Sequence, residues 1–148
     1  GRNTLEAALV NTGSLVMMCP PVAPPKRIGE HVAVAWNGSR EAARVLALAM
    51  PILVEAKTIS ILSVAGEQLE LTGAHVLSYL SDHDLKAQHL EIAAESSIGK
   101  TLMDGAGLAG ADCLVMGAYG SSRGRELVFG GATQYVVDHA DMPVLMAH

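Results

Sequence analysis

In the stretch VMGAYGSSRGRELVFGGAT, Gly117, Gly120 and Gly130 follow an apolar run and bracket Arg123 and Arg125. Glycine lets a backbone approach a ligand closely and adopt positive φ. Gly130 and Gly131 free the backbone N–H groups of a helix opening at Ala132. Those donors, together with the helix dipole, favour phosphate. The arginines place positive charge in the same loop, either at a phosphate or in open solvent. The chemistry that suits this spacing is anion binding by main-chain donors.

A second stretch, AESSIGKT (94–101), satisfies the loose pattern of a phosphate-wrapping loop. It holds little glycine, puts Glu95 beside the supposed phosphate, and lacks a downstream apolar strand ending in Asp to hold magnesium. Ser97 reads better as the cap of a helix beginning near Ile98. The histidines His31, His75, His83, His89, His139 and His148 show no HExxH or short repeated ligand spacing, so no metal site is expected. No GxSxG elbow is present. Asp104, Asp112 and Asp141 read as surface or capping groups.

The elements that position these residues follow from composition and periodicity. A chain of 148 residues suits one core, and with half its residues hydrophobic and 17% charged it is a folding chain. Aromatic residues make up 3%, so the core must be aliphatic. A net charge of −5 argues against a general surface for nucleic acid or anionic membrane. Cys19 and Cys113 are lone cysteines without CxxC spacing, which implies a reducing, cytoplasmic setting.

Apolar runs predict strands at HVAVAW (31–36), TISILSV (58–64), DCLVMG (112–117) and PVLMA (143–147), and LKAQHLEIA (85–93) alternates as a strand, with Leu85, Ala87 and His89 on one side. Helical spacing predicts helices from Arg40, capped by Ser39 and interrupted at Pro51, from Glu67 to about Asp82, over GKTLMDGAGLAG, and over ATQYVVDHA. Alternating β and α elements with continuously apolar strands imply a parallel sheet covered on both faces. Ligands bind such sheets beyond the C-terminal strand ends, where Asn37 and Gly117 fall.

Gly117-x2-Gly120-x9-Gly130, followed by a helix and MPVLMA, resembles the nucleotide-binding signature of the universal stress protein family. The resemblance covers roughly residues 30–148 and includes the WNGSREAA turn. It implies an α/β fold, adenine nucleotide alpha hydrolase-like, with a five-stranded parallel sheet in the order 3-2-1-4-5. It also implies a site for ATP or AMP, with or without magnesium. Carried over position by position, the site comprises Ala35, Asn37, Val64, Met116, Gly117, Gly120, Arg123, Gly130, Gly131, Ala132 and Thr133. Two positions depart from the family's binders, which usually carry Asp at Asn37 and Ser or Thr at Gly131. Asn37 can still hydrogen-bond a ribose or base, and Thr133 offers a hydroxyl nearby.

LEAALVNTGSLVMMCP near the start is similar to TQYVVDHADMPVLMAH at the end: Leu5, Ala8 and Leu9 correspond to Thr133, Val136 and Val137, and Val16, Met17 and Met18 to Val144, Leu145 and Met146. Residues 1–27 therefore read as a helix and strand left from a preceding repeat plus the proline-stiffened linker CPPVAPPK, and residues 28–148 as a universal stress protein domain. An exposed apolar edge invites pairing, so residues 14–18 are expected to pair antiparallel with 143–147, within the chain or across a homodimer.

Two functions follow. One is an adenine-nucleotide-binding stress-response module that acts by regulation or interaction. The other is a degenerate domain that binds no nucleotide and serves dimer-like assembly and protein interaction. Neither is an enzyme; slow ATP hydrolysis would need a water-activating residue, and none is evident in the sequence.

Overall fold

The computed structural model describes residues 2–21, 27–118 and 131–148. In chain order these form α1 (Arg2–Thr12), β1 (Val16–Met18), β2 (His31–Ala35), α2 (Arg40–Leu48), α3 (Met50–Glu55), β3 (Thr58–Val64), α4 (Gly73–Asp82), β4 (Gln88–Ile92), α5 (Ile98–Leu108), β5 (Cys113–Gly117), α6 (Gly131–His139) and β6 (Val144–Ala147). Their strands make one sheet ordered β1-β6-β5-β2-β3-β4. β2 to β6 are parallel, and β1 joins the edge antiparallel to β6. The expected five-stranded count is thus corrected to six. The five parallel strands keep the order 3-2-1-4-5, and the sixth strand comes from the segment before the linker.

Strand alternation sends side chains to two cores. Val32, Val34, Ile59, Ile61, Cys113 and Val115 pack with α2, α3 and α4 through Val45, Leu46, Leu53, Val76 and Leu80. Ala33, Ala35, Leu62, Val64, Leu114 and Met116 pack on the other face with α5 and α6 through Leu102, Met103, Ala106 and Val136. Leu9 of α1 is fully buried in this second core, with Leu5 half-buried against it. The helix has little amphipathic character outside this contact, and at 11 residues it is marginal alone, so docking holds it.

The β1–β6 ladder pairs Val16 with Met146, Met17 with Leu145, and Met18 with Val144. In the sequence similarity between the two segments, Met17 thus pairs with its own match, while Val16 and Met18 each pair with the match of the other. The register has local two-fold symmetry about the Met17–Leu145 pair.

At the opposite end of the sheet from the strand C-termini, Asp112 ties β2 to β5. Its carboxylate accepts backbone N–H bonds from Gly29 at 2.7 Å and from Glu30 and His31 at 3.0 Å each. Gly38, at φ +74°, turns the chain from β2 into α2.

Two expected boundaries change. The helix from Arg40 breaks at Ala49 into α2 and α3, with Pro51 in the first turn of α3, where a missing N–H costs least. The helix expected from Glu67 starts only at Gly73. Trp36 Nε1 donates to the Leu71 carbonyl at 2.8 Å, which holds the preceding segment as a loop. Thr72 and His75 then form a reciprocal capping box. Among the described residues, no helix is long and apolar enough to cross a membrane.

Candidate functional site

The parallel sheet delivers the C-terminal ends of β2, β3 and β5 and the N-termini of α2, α5 and α6 to one side of the molecule. There they enclose a cleft of about 390 Å³, within the range of small-molecule sites. Its lining includes Ala35, Asn37, Val64, Met116, Gly117, Gly131, Ala132 and Thr133. These are eight of the eleven residues singled out in the sequence. The other three, Gly120, Arg123 and Gly130, lie outside the described residues, as does Arg125.

Each wall has a local cause. The Asn37 side-chain oxygen accepts the Ser39 N–H at 3.0 Å, an Asx turn that reverses the chain at the end of β2. Ser39 then caps α2 by accepting the Ala42 N–H at 3.1 Å. Ser97 caps α5 in the same way, accepting from Lys100 N–H at 3.1 Å. Two capped helix starts and the first turn of α6 therefore bring positive dipole ends to one space. Thr133 is buried in the wall, while Gly131 is exposed, and among the described residues nothing lies within 4 Å of where its Cβ would stand.

Gly117 is present for a different reason from the one expected. It is not among the residues with positive φ. A Cβ there would meet the Glu41 carbonyl carbon at 2.7 Å and the Ala42 nitrogen at 2.8 Å. The close approach is thus between β5 and the start of α2, and it closes one end of the cleft.

The sequence reading missed Trp36, Glu41, Glu67, Ile98 and Leu102 in this lining. Ile98 and Leu102 stand one turn apart on α5, opposite Val64 and Ala35, and give the cleft an apolar slot. A readable signal existed: in a parallel βα fold, residues just past each strand end line the crevice. Glu41 and Glu67 are the only charged side chains among the described lining residues. Partial desolvation holds the Glu67 carboxyl above the usual carboxylate range, opposed in part by the Val64 backbone.

The AESSIGKT stretch does not wrap a phosphate. Thr101 is fully buried and donates to the Ser97 carbonyl at 2.8 Å, while its oxygen accepts the Glu95 N–H at 2.9 Å. Lys100 pairs with Asp104 at 2.7 Å and with Glu95 at 3.6 Å, which raises its own proton affinity and lowers that of Asp104. Only Ser97 and Ile98 of this stretch reach the cleft. Among the described residues, no group of three or more His, Cys, Asp or Glu could hold a metal ion.

Residues 92–148 match the model of the Universal stress protein family. No curated protein matches the sequence. Among solved structures, a universal stress protein from Archaeoglobus fulgidus DSM 4304 superposes with a TM-score of 0.77 at 16% identity, over 97% of this chain and 54% of its own. The chain therefore spans about half the length of that protein. A universal stress protein from Archaeoglobus fulgidus in complex with dAMP gives 0.58 at 17% identity, over 82% of this chain and 100% of its own. A universal stress protein family protein from Arabidopsis thaliana with AMP bound gives 0.56 at 17% identity, over 79% and 89%. By sequence over residues 92–148 and by fold over nearly all of its length, the chain resembles this family.

Proposed function

We propose that this chain is a universal stress protein domain that binds an adenine nucleotide in the cleft at the C-terminal strand ends, and that it acts by regulation or interaction instead of by dedicated catalysis. The carrying observation is the convergence of Ala35, Asn37, Val64, Met116, Gly131, Ala132 and Thr133 on one cleft that also collects three helix N-termini. The apolar slot fits a base, Asn37 fits a ribose or base edge, and the N–H groups opening α6 fit a phosphate. Two solved structures of similar fold hold dAMP and AMP. ATP, with or without magnesium, belongs to the same proposal.

The test is calorimetric titration of the purified chain with AMP, ADP and ATP, with and without magnesium. Saturable binding of any of them supports the reading. Absence of binding by all three, with no nucleotide carried through purification, overturns it.

A second reading has its own observation. The antiparallel β1–β6 ladder, symmetric in register, favours residues 2–18 as the final helix and strand of a preceding repeat and residues 28–148 as the domain proper. On that reading the β1–β6 seam is a pseudo-dimer contact, and the chain serves assembly whether or not nucleotide is bound.

A further inference from the structure

Glu67 occupies a place in the cleft that the nucleotide reading leaves without a role. It lies three residues beyond Val64, and its own N–H turns back to the Val64 carbonyl at 3.4 Å. It lines the same cleft as Ala35, Val64, Ile98 and Leu102. No Lys, Arg or His lines the cleft among the described residues. The ion pairs of the described residues involve Glu30, Glu95 and Asp104 and leave Glu67 without a cation. Partial desolvation raises its proton affinity, and a hydrogen bond from the Val64 backbone offsets part of that.

An acceptor in that position, beside an apolar slot, is matched by a flat ring bearing N–H donors on its edge. Carboxylates accept well from exocyclic amino groups of bases. We propose that Glu67 is a specificity-determining residue of the cleft, whose carboxylate accepts a hydrogen bond from the exocyclic amine of a 6-aminopurine. This rests on the reading of the cleft as a nucleotide site and adds to it the group that selects the base. The slot alone would accept any flat ring of similar size, because apolar contact discriminates weakly between isosteres. Glu67 supplies the polar requirement: a purine lacking the amine gives up one hydrogen bond to the carboxylate.

The experiment compares AMP with purine riboside 5′-monophosphate, which has the same ribose and phosphate and lacks only the 6-amino group. Both are titrated calorimetrically into the whole chain, into Glu67→Ala and into Glu67→Gln. Glu67 is exposed in a loop, so both variants should fold, and circular dichroism checks that they do. The chain as it stands is expected to favour AMP by about tenfold. Glu67→Ala should bring the two ligands to equal affinity, and Glu67→Gln, which keeps one acceptor oxygen, should retain part of the preference. Equal affinity in the unaltered chain overturns the role of Glu67 and leaves the nucleotide site standing. A preference that survives in Glu67→Ala does the same. Failure of both ligands to bind the unaltered chain overturns the nucleotide reading, and the role of Glu67 falls with it.

Discussion

Gly117 and Glu41 are locked together by backbone. A Cβ at Gly117 would stand 2.7 Å from the Glu41 carbonyl carbon and 2.8 Å from its Cβ, so nothing flexible can move aside. Gly117→Ala should therefore push β5 and the start of α2 apart and cost roughly 1–3 kcal/mol. Urea unfolding of the variant checks this, and an unchanged midpoint would show that α2 can shift at no cost.

Gly131 presents the opposite case. Among the described residues nothing lies within 4 Å of its absent Cβ, so Gly131→Ser should leave stability within about 0.5 kcal/mol of the original. If the cleft holds a nucleotide phosphate, the added hydroxyl should tighten binding. Asn37→Asp should preserve the Asx turn to Ser39, because a carboxylate oxygen can accept the same N–H. It should also preserve or strengthen nucleotide binding. Thermal melts and titrations of the two variants separate the folding claim from the binding claim.

The inner strands were legible because each is a largely apolar run, as a sheet covered on both faces requires, and β4 was legible from its alternation. TISILSV matches β3 residue for residue. The start of α4 was not legible, because Leu69 continues the helical spacing while packing from a loop. The competing signals were Thr72, a capping residue, and a tryptophan donor 35 residues earlier that no local pattern reveals. At the cleft, residues just past strand ends were readable as a class. The glycine signature drew the reading to backbone, and it passed over Glu41 and Glu67, whose place depends on how α2 and the loop after β3 fold over the strand ends. Gly117 shows the same limit, since its close neighbour lies 76 positions earlier in the chain.

Leu9 anchors the first helix. It is fully buried in the core that also holds Val136, Val144 and Met146, so Leu9→Ala should cost roughly 2–4 kcal/mol of local stability. Hydrogen exchange should register the loss at β1 and α1 before the central strands. Deleting residues 1–18 goes further and bares the apolar edge of β6. Self-association or aggregation is expected in light scattering. A deleted form that keeps the mass and solubility of the full chain would show that the edge is protected in another way.

The two cysteines should separate cleanly. Cys19 is exposed and Cys113 fully buried, so a thiol-alkylating reagent should label one site in the native protein and two after denaturation. Burial, first, and the nearby Asp112 push the Cys113 thiol up to about 12 from 9.0. The folded state thus holds its proton where the unfolded chain has released it. This contribution is fully present below pH 9.0 and is lost as pH rises from there towards 12. Stability should fall by roughly 1 kcal/mol per pH unit across that window. Cys113→Ala, in a denaturation series from pH 8 to 11, should flatten that slope.

The symmetry of the β1–β6 register means that the ladder itself cannot tell which chain supplies its outer strand. A β1 from a neighbouring molecule would form the same backbone bonds and the same Met17–Leu145 centre. The choice is made by connectivity: twelve residues, Cys19 to Glu30, join β1 to β2 and keep the outer strand at a local concentration of order millimolar. Shortening that connection until it cannot span the sheet would leave every contact intact and yet hand the strand to another molecule. Exchange of the strand between molecules is thus governed by the length of that connection.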